Sequence, residues 1–166
     1  MHLYLPFLSR SSFHASLLSR APAPADFSIL LLVVCLIGLP TGPEASSAAP
    51  ASVAPGQRKS MYLEAKALLA QVQAEVASRD VVAATVLMAL FEYRHCCPER
   101  AMGTLAAGVR MAYQLGLDVW EGSADGAGTD GEEREWEREQ EKNNLWWALV
   151  CCERYVYMSA RLDSDC

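Results

Sequence analysis

The side chains able to do chemistry in this sequence are few and poorly spaced for it. Its three histidines stand at His2, His14 and His95, and no His-Glu-x-x-His, Gly-x-Ser-x-Gly, phosphate-loop or Gly-x-Gly-x-x-Gly pattern accompanies them. Neither a catalytic residue nor a cofactor-binding residue emerges, and the chain does not read as an enzyme. One metal cluster can be drawn, from His95, Cys96 and Cys97 with Cys151 or Cys152 of a later segment. Structural zinc sites, however, place two thiolates about two to four residues apart so that both reach one ion. The six cysteines fall at 35, 96, 97, 151, 152 and 166, without a Cys-x-x-Cys. Adjacent pairs inside helices point about 100° apart and do not face one another. Cysteine is also among the most buried residue types, so core thiols of a reduced, intracellular chain are the expectation and no metal ligand is assigned.

Charged and aromatic residues set into apolar runs are more informative. Glu92, Arg110, Glu153 and Arg154 interrupt such runs, and each must reach solvent or a partner, because an unpaired buried charge costs several kcal/mol. The expected arrangement is a structural ion pair across packed helices, Arg110 or Arg154 with Glu92 or Glu153. Trp146 and Trp147 cannot face the same way on a helix, so one belongs to the core and the other to a boundary or interface.

These positions need a scaffold, and composition allows one. Of 166 residues 52% are hydrophobic and 20% charged, which suits a single domain with a buried core. The formal charge of −6 is concentrated between Glu121 and Leu145, where nine acidic and three basic residues account for all of it. A protein gripping DNA through its phosphates needs a clustered Lys/Arg surface, and the sequence has none. Acidic and basic residues alternate in Glu132 to Lys142, the pattern of a solvated helix face with local ion pairs.

Periodicity predicts an all-α fold with helices over about 11–19, 26–39, 60–78, 81–96, 98–115 and 132–160, packed as antiparallel hairpins. Flexible loops are expected over 40–59 and 118–131, both rich in small and turn-forming residues. Ser11 or Ser12, Asp26 and Asp80 are the expected N-caps, and Pro98 opens the fifth helix. Tyr62, Ala65, Leu69, Val72 and Val76 form one inward stripe, and Met102, Leu105, Val109 and Ala112 another. Trp136, Gln140, Asn143, Trp147, Val150, Arg154 and Met158 form the third, on the last helix. Gly116 suits a left-handed ending with Leu117 folding back. Gly103 and Gly108 suggest close approach by another helix.

Phe27 to Leu39 is thirteen uncharged residues, shorter than the roughly 20 that span a bilayer. A buried core helix and a signal-peptide h-region both fit that length. The second option makes the chain a secreted or membrane-anchored helical protein with residues 27–39 as its export signal, and it stands as the alternative reading.

Two blocks carry a family resemblance: Arg110, Met111, Ala112, Leu115, Gly116 and Leu117, then Leu145, Trp146, Trp147, Glu153 and Arg154. They resemble the middle homology region of fungal transcription regulators, an all-helical regulatory domain. The likeness extends from about Leu5 to Asp165 and makes Asp26 to Ile37 a core helix. It implies a nuclear regulator of transcription by RNA polymerase II, with protein partners or self-association, an unidentified small-molecule effector, and no membrane. In that family DNA is read by a separate binuclear zinc cluster. No residue here matches it, so zinc and DNA contact are expected only outside this chain, which reads as a fragment of a longer regulator.

Overall fold

Nine consecutive residues from Val81 to Ala89 are buried, and the other helices are arranged around them. The computed structural model describes residues 7–19, 23–39, 55–95, 97–119 and 130–164. These form α1 (Arg10–Ser19), α2 (Ala25–Gly38), α3 (Pro55–Glu75), α4 (Arg79–Arg94), α5 (Pro98–Gln114) and α6 (Asp130–Ser164). The fold is all-α, with no strand among the described residues. Helix α4 is apolar nearly all round because it is enclosed: α2, α3, α5 and α6 all pack on it. Fully burying side chains such as Val86, Leu87 and Met88 contributes about 1.5–3 kcal/mol each.

The apolar run beginning at Phe27 is held by protein. Phe27, Ile29, Leu30, Val33 and Leu36 of α2 are buried, and α2 packs against α4 and α3. Phe27 also meets Phe13 of α1, ring centroids 5.6 Å apart. The Arg58 guanidinium donates to the Leu39 carbonyl and ties the end of α2 to α3. No helix among the described residues is long and apolar enough to cross a membrane.

Several boundaries differ from the periodicity estimate. Helix α3 begins at Pro55, five residues earlier than expected, because proline is favoured in a first turn whose N–H groups lack partners. It ends at Glu75, so Val76 lies beyond it and is exposed. The cap of α4 is Ser78, whose Oγ accepts from the Val81 N–H at 3.3 Å, while Asp80 sits in the first turn near the positive helix end. Helix α2 has no side-chain cap: Asp26 lies inside its first turn and accepts from the Phe27 N–H. The side chains of Ser11 and Ser12, and residues 40–54 and 120–129 of the expected loops, lie outside the described residues.

The end of α5 follows from one glycine. Gly116 has φ +61°, the left-handed region that costs glycine nothing. Its N–H donates to the Tyr113 carbonyl and the Leu117 N–H reaches back to Ala112, a Schellman ending with Leu117 buried beneath it. Upstream, α5 turns Ala101, Thr104, Leu105, Gly108, Met111 and Ala112 inward, leaving Met102 outside. Gly108 is the close-approach glycine: a Cβ there would meet Thr85 at 3.0 Å and Leu149 at 3.2 Å, whereas nothing lies within 4 Å of one at Gly103.

Helix α6 is one continuous element, about 52 Å long at 1.5 Å per residue. Its packed face is not the Trp136–Met158 stripe but the one carrying Lys142, Leu145, Leu149 and Val156. Both faces carry residues at alternating spacings of three and four. Leu145, Leu149 and Val156 are the buried apolar side chains of that face, and Leu149 packs beside the Cβ-less Gly108. Trp136, Trp147 and Met158 therefore point outward, 58%, 56% and 65% exposed.

Candidate functional site

A buried carboxylate organises a strongly polar cluster in the described core. Glu92, near the end of α4, has a side chain 1% exposed. Tyr62 and Lys66, one turn apart on α3, face it: the tyrosine hydroxyl donates to Oε1 at 2.7 Å and the Lys66 ammonium reaches the same oxygen at 2.6 Å. The Thr104 hydroxyl of α5 donates to Oε2 and accepts from Lys66. Three helices thus meet on one carboxylate, and no buried side-chain polar atom among the described residues lacks a partner. Partial burial, then the hydrogen bond and charge of Glu92, push the Tyr62 phenol up to about 12, so it stays a donor.

A groove opens beside this cluster between α3 and the α4–α5 hairpin. One lobe, about 480 Å³, is lined by Tyr62, Leu63, Leu69, Glu92, Gly103 and Ala107 among others. A second lobe, about 260 Å³, shares Tyr62, Leu63, Glu92 and Arg100 with it and adds Arg58, Lys59, Phe91, His95 and Cys97. Its wall is aromatic. Tyr62 stacks on Phe91 with centroids 5.6 Å apart and planes 23° from parallel, and Phe91 meets His95 at 4.3 Å. His95 is held below its ordinary value, first by partial burial and then by the Arg58 and Arg94 charges.

The residues singled out from sequence are dispersed. Glu92 has Lys66 as its ion-pair partner; Arg110, Glu153 and Arg154 are exposed, and no ion pair among the described residues joins them to Glu92. The ammonium prevails because α3 packs against the end of α4, whereas both arginines lie on outward faces of their helices. Trp146 is half-buried and meets Tyr113 edge-on at 5.5 Å, while Trp147 is exposed. Both border a depression of about 140 Å³ with Leu117, Asp118 and Val119. Cys96 lies outside the described residues; Cys152 is half-buried, its thiol pushed up to about 11 by burial and then by Cys151. No group of three potential metal ligands occurs among the described residues.

Sequence reasoning missed Tyr62, Lys66 and Thr104 as a unit around Glu92. The signal was a lysine one turn after a tyrosine on an inward stripe, matched by a threonine in the inward run of α5.

The described residues thus form an all-helical domain whose buried polar groups are satisfied. The chain is a member of the fungal specific transcription factor domain family, whose description matches residues 1–164. That family is one of transcription factors, not of enzymes. No curated protein and no solved structure matches the chain.

Proposed function

We infer that the chain is the regulatory and interaction domain of an RNA polymerase II transcription factor acting in the nucleus. A binuclear zinc cluster outside these residues reads the DNA and supplies the only zinc; this domain holds no cofactor and contacts protein. The family match over nearly the whole chain carries this reading.

The outer face of α6 is the interaction surface, and its occupant is a second copy of the chain. Trp136, Trp147 and Met158 lie eleven residues apart, within about 40° of one another on a helix. With Gln140, Asn143, Val150 and Arg154 between them they keep the alternating spacing of a coiled-coil seam from Trp136 to Arg154, and Met158 follows one turn later. Charge sets the orientation: residues 130–142 carry seven acidic and three basic residues, residues 143–164 two of each. Parallel pairing would superimpose two acidic halves, whereas antiparallel pairing centred on Trp147 sets Trp136 against Met158 and Gln140 against Arg154.

The test is a reporter assay in yeast with the chain fused to an unrelated DNA-binding module. The expected result is reporter output different from the module alone, reverting toward it with Trp147→Glu. Output identical to the bare module contradicts a regulatory role.

A further inference from the structure

We propose that the groove between α3 and the α4–α5 hairpin is a binding site for an aromatic carboxylate, a planar apolar body carrying one anionic head. The proposal rests on the groove's own geometry and goes beyond the interaction face of α6.

Three observations converge on that ligand class. The first is shape: the lobes of about 260 and 480 Å³ share four lining residues, and together they fall in the volume range of small-molecule sites, roughly 300–1,000 Å³. Gly103 lines the larger lobe, and the space where its Cβ would stand is open. The second is the wall, where Tyr62, Phe91 and His95 form a continuous aromatic surface and Leu63 and Leu69 supply aliphatic contact. Such a surface takes a flat ring by offset stacking.

The third is charge. In a chain of net charge −6, the smaller lobe is lined by Arg58, Lys59 and Arg100 against one carboxylate. That carboxylate, Glu92, is already bound by Lys66, Tyr62 and Thr104, so it neither repels an anion nor recruits a cation. Arg58 is engaged with the Leu39 carbonyl. Lys59 and Arg100 are both exposed at the mouth, on α3 and α5; Arg100 also lies against the Tyr62 hydroxyl, and the two are the side chains positioned to hold the anionic head. A guanidinium presents two parallel N–H groups that match a carboxylate, with the ammonium adding a point charge from the facing helix.

The experiment titrates the purified full chain with 2-naphthoate, 2-naphthalenemethanol and 2-naphthylmethylammonium, read by calorimetry and by the thermal midpoint. The site predicts that naphthoate binds and raises the midpoint. The neutral alcohol should bind at least tenfold more weakly and the cation not at all. Lys59→Ala/Arg100→Ala should weaken naphthoate binding tenfold or more, and Gly103→Leu, which fills the larger lobe, should weaken all binding. Circular dichroism of each variant confirms that the fold is retained. Trp147→Ala serves as the control for the exposed aromatic face of α6. Equal affinity for all three compounds, no binding, or loss on Trp147→Ala while Lys59→Ala/Arg100→Ala binds normally would each overturn the proposal. A silent reporter with intact naphthoate binding would remove the transcriptional role and leave the site standing.

Discussion

Two glycines on one helix should respond with opposite sign to the same substitution. Gly103→Ala and Gly108→Ala both remove a residue that costs about 1 kcal/mol of helix propensity relative to alanine. At Gly103 the new methyl enters open space, so the gain of about 1 kcal/mol should be realised in full. At Gly108 it would sit 3.0 Å from Thr85 Cγ2 and 3.2 Å from Leu149 Cδ1, inside ordinary van der Waals contact, so both neighbours must shift. Thr85 is fully buried, with its hydroxyl donating to the Val81 carbonyl at 2.7 Å and accepting from Gln73 at 2.8 Å, which fixes its rotamer. Leu149 is fully buried where α6 meets the α4–α5 pair. Overpacking of this kind costs about 1–3 kcal/mol, so Gly108→Ala should be net destabilising by about 1 kcal/mol. For a domain of this size the two variants should move the thermal midpoint about 2–4 °C each, upward for Gly103→Ala and downward for Gly108→Ala. Thermal unfolding followed by far-UV circular dichroism reads this directly. If both substitutions stabilise equally, the close approach of α4, α5 and α6 at Gly108 is wrong.

The Lys66–Glu92 pair should show strong coupling. Lys66→Met, which strands a carboxylate that keeps its two hydroxyl donors, should cost about 1–3 kcal/mol in chemical denaturation. Lys66→Met/Glu92→Leu should recover most of that loss, because no uncompensated charge remains; simple additivity of the single variants would refute the coupling. Since His95 is held below its usual value of 6.5 in the folded chain, its neutral form favours folding. Stability should therefore be full above pH 6.5, fall modestly as pH drops through 6.5 toward the folded pKa, and level off beneath it. Guanidinium melts across pH should show this decline, flattened by His95→Gln. In thiol labelling at mildly alkaline pH, exposed Cys151 should react well before Cys152, whose thiol is pushed up to about 11; faster labelling of Cys152 contradicts the packing of α6.

How far the sequence reveals the fold depends on whether a local signal has one physical meaning. Gly116 followed by Leu117 does, because few endings other than a left-handed cap satisfy both residues, and the α5 terminus follows from it. Phe27 to Leu39 has two meanings, lipid or protein, and only the packing of α4 and α3 against Leu30, Val33 and Leu36 selects the second. Helix α6 is harder, since two faces repeat every three or four residues. The sequence offers indoles on one and aliphatics on the other, and the side chain that α6 packs beside Gly108 is the aliphatic Leu149. At the candidate site, Glu92 stood out as a charge in an apolar run, but its partner came from a helix distant in sequence. Charged residues nearer in pattern, Arg110 and Arg154, turned out to lie on exposed faces. The groove itself is a gap between three helices, and no local sequence pattern encodes a gap.

Sedimentation equilibrium of the purified chain and of Trp147→Glu decides whether the outward face of α6 joins two copies. The expected result is a concentration-dependent dimer for the parent chain and a monomer for the variant, with helical content the same in both. A parent chain that stays monomeric at every concentration, or a dimer indifferent to Trp147→Glu, would contradict it.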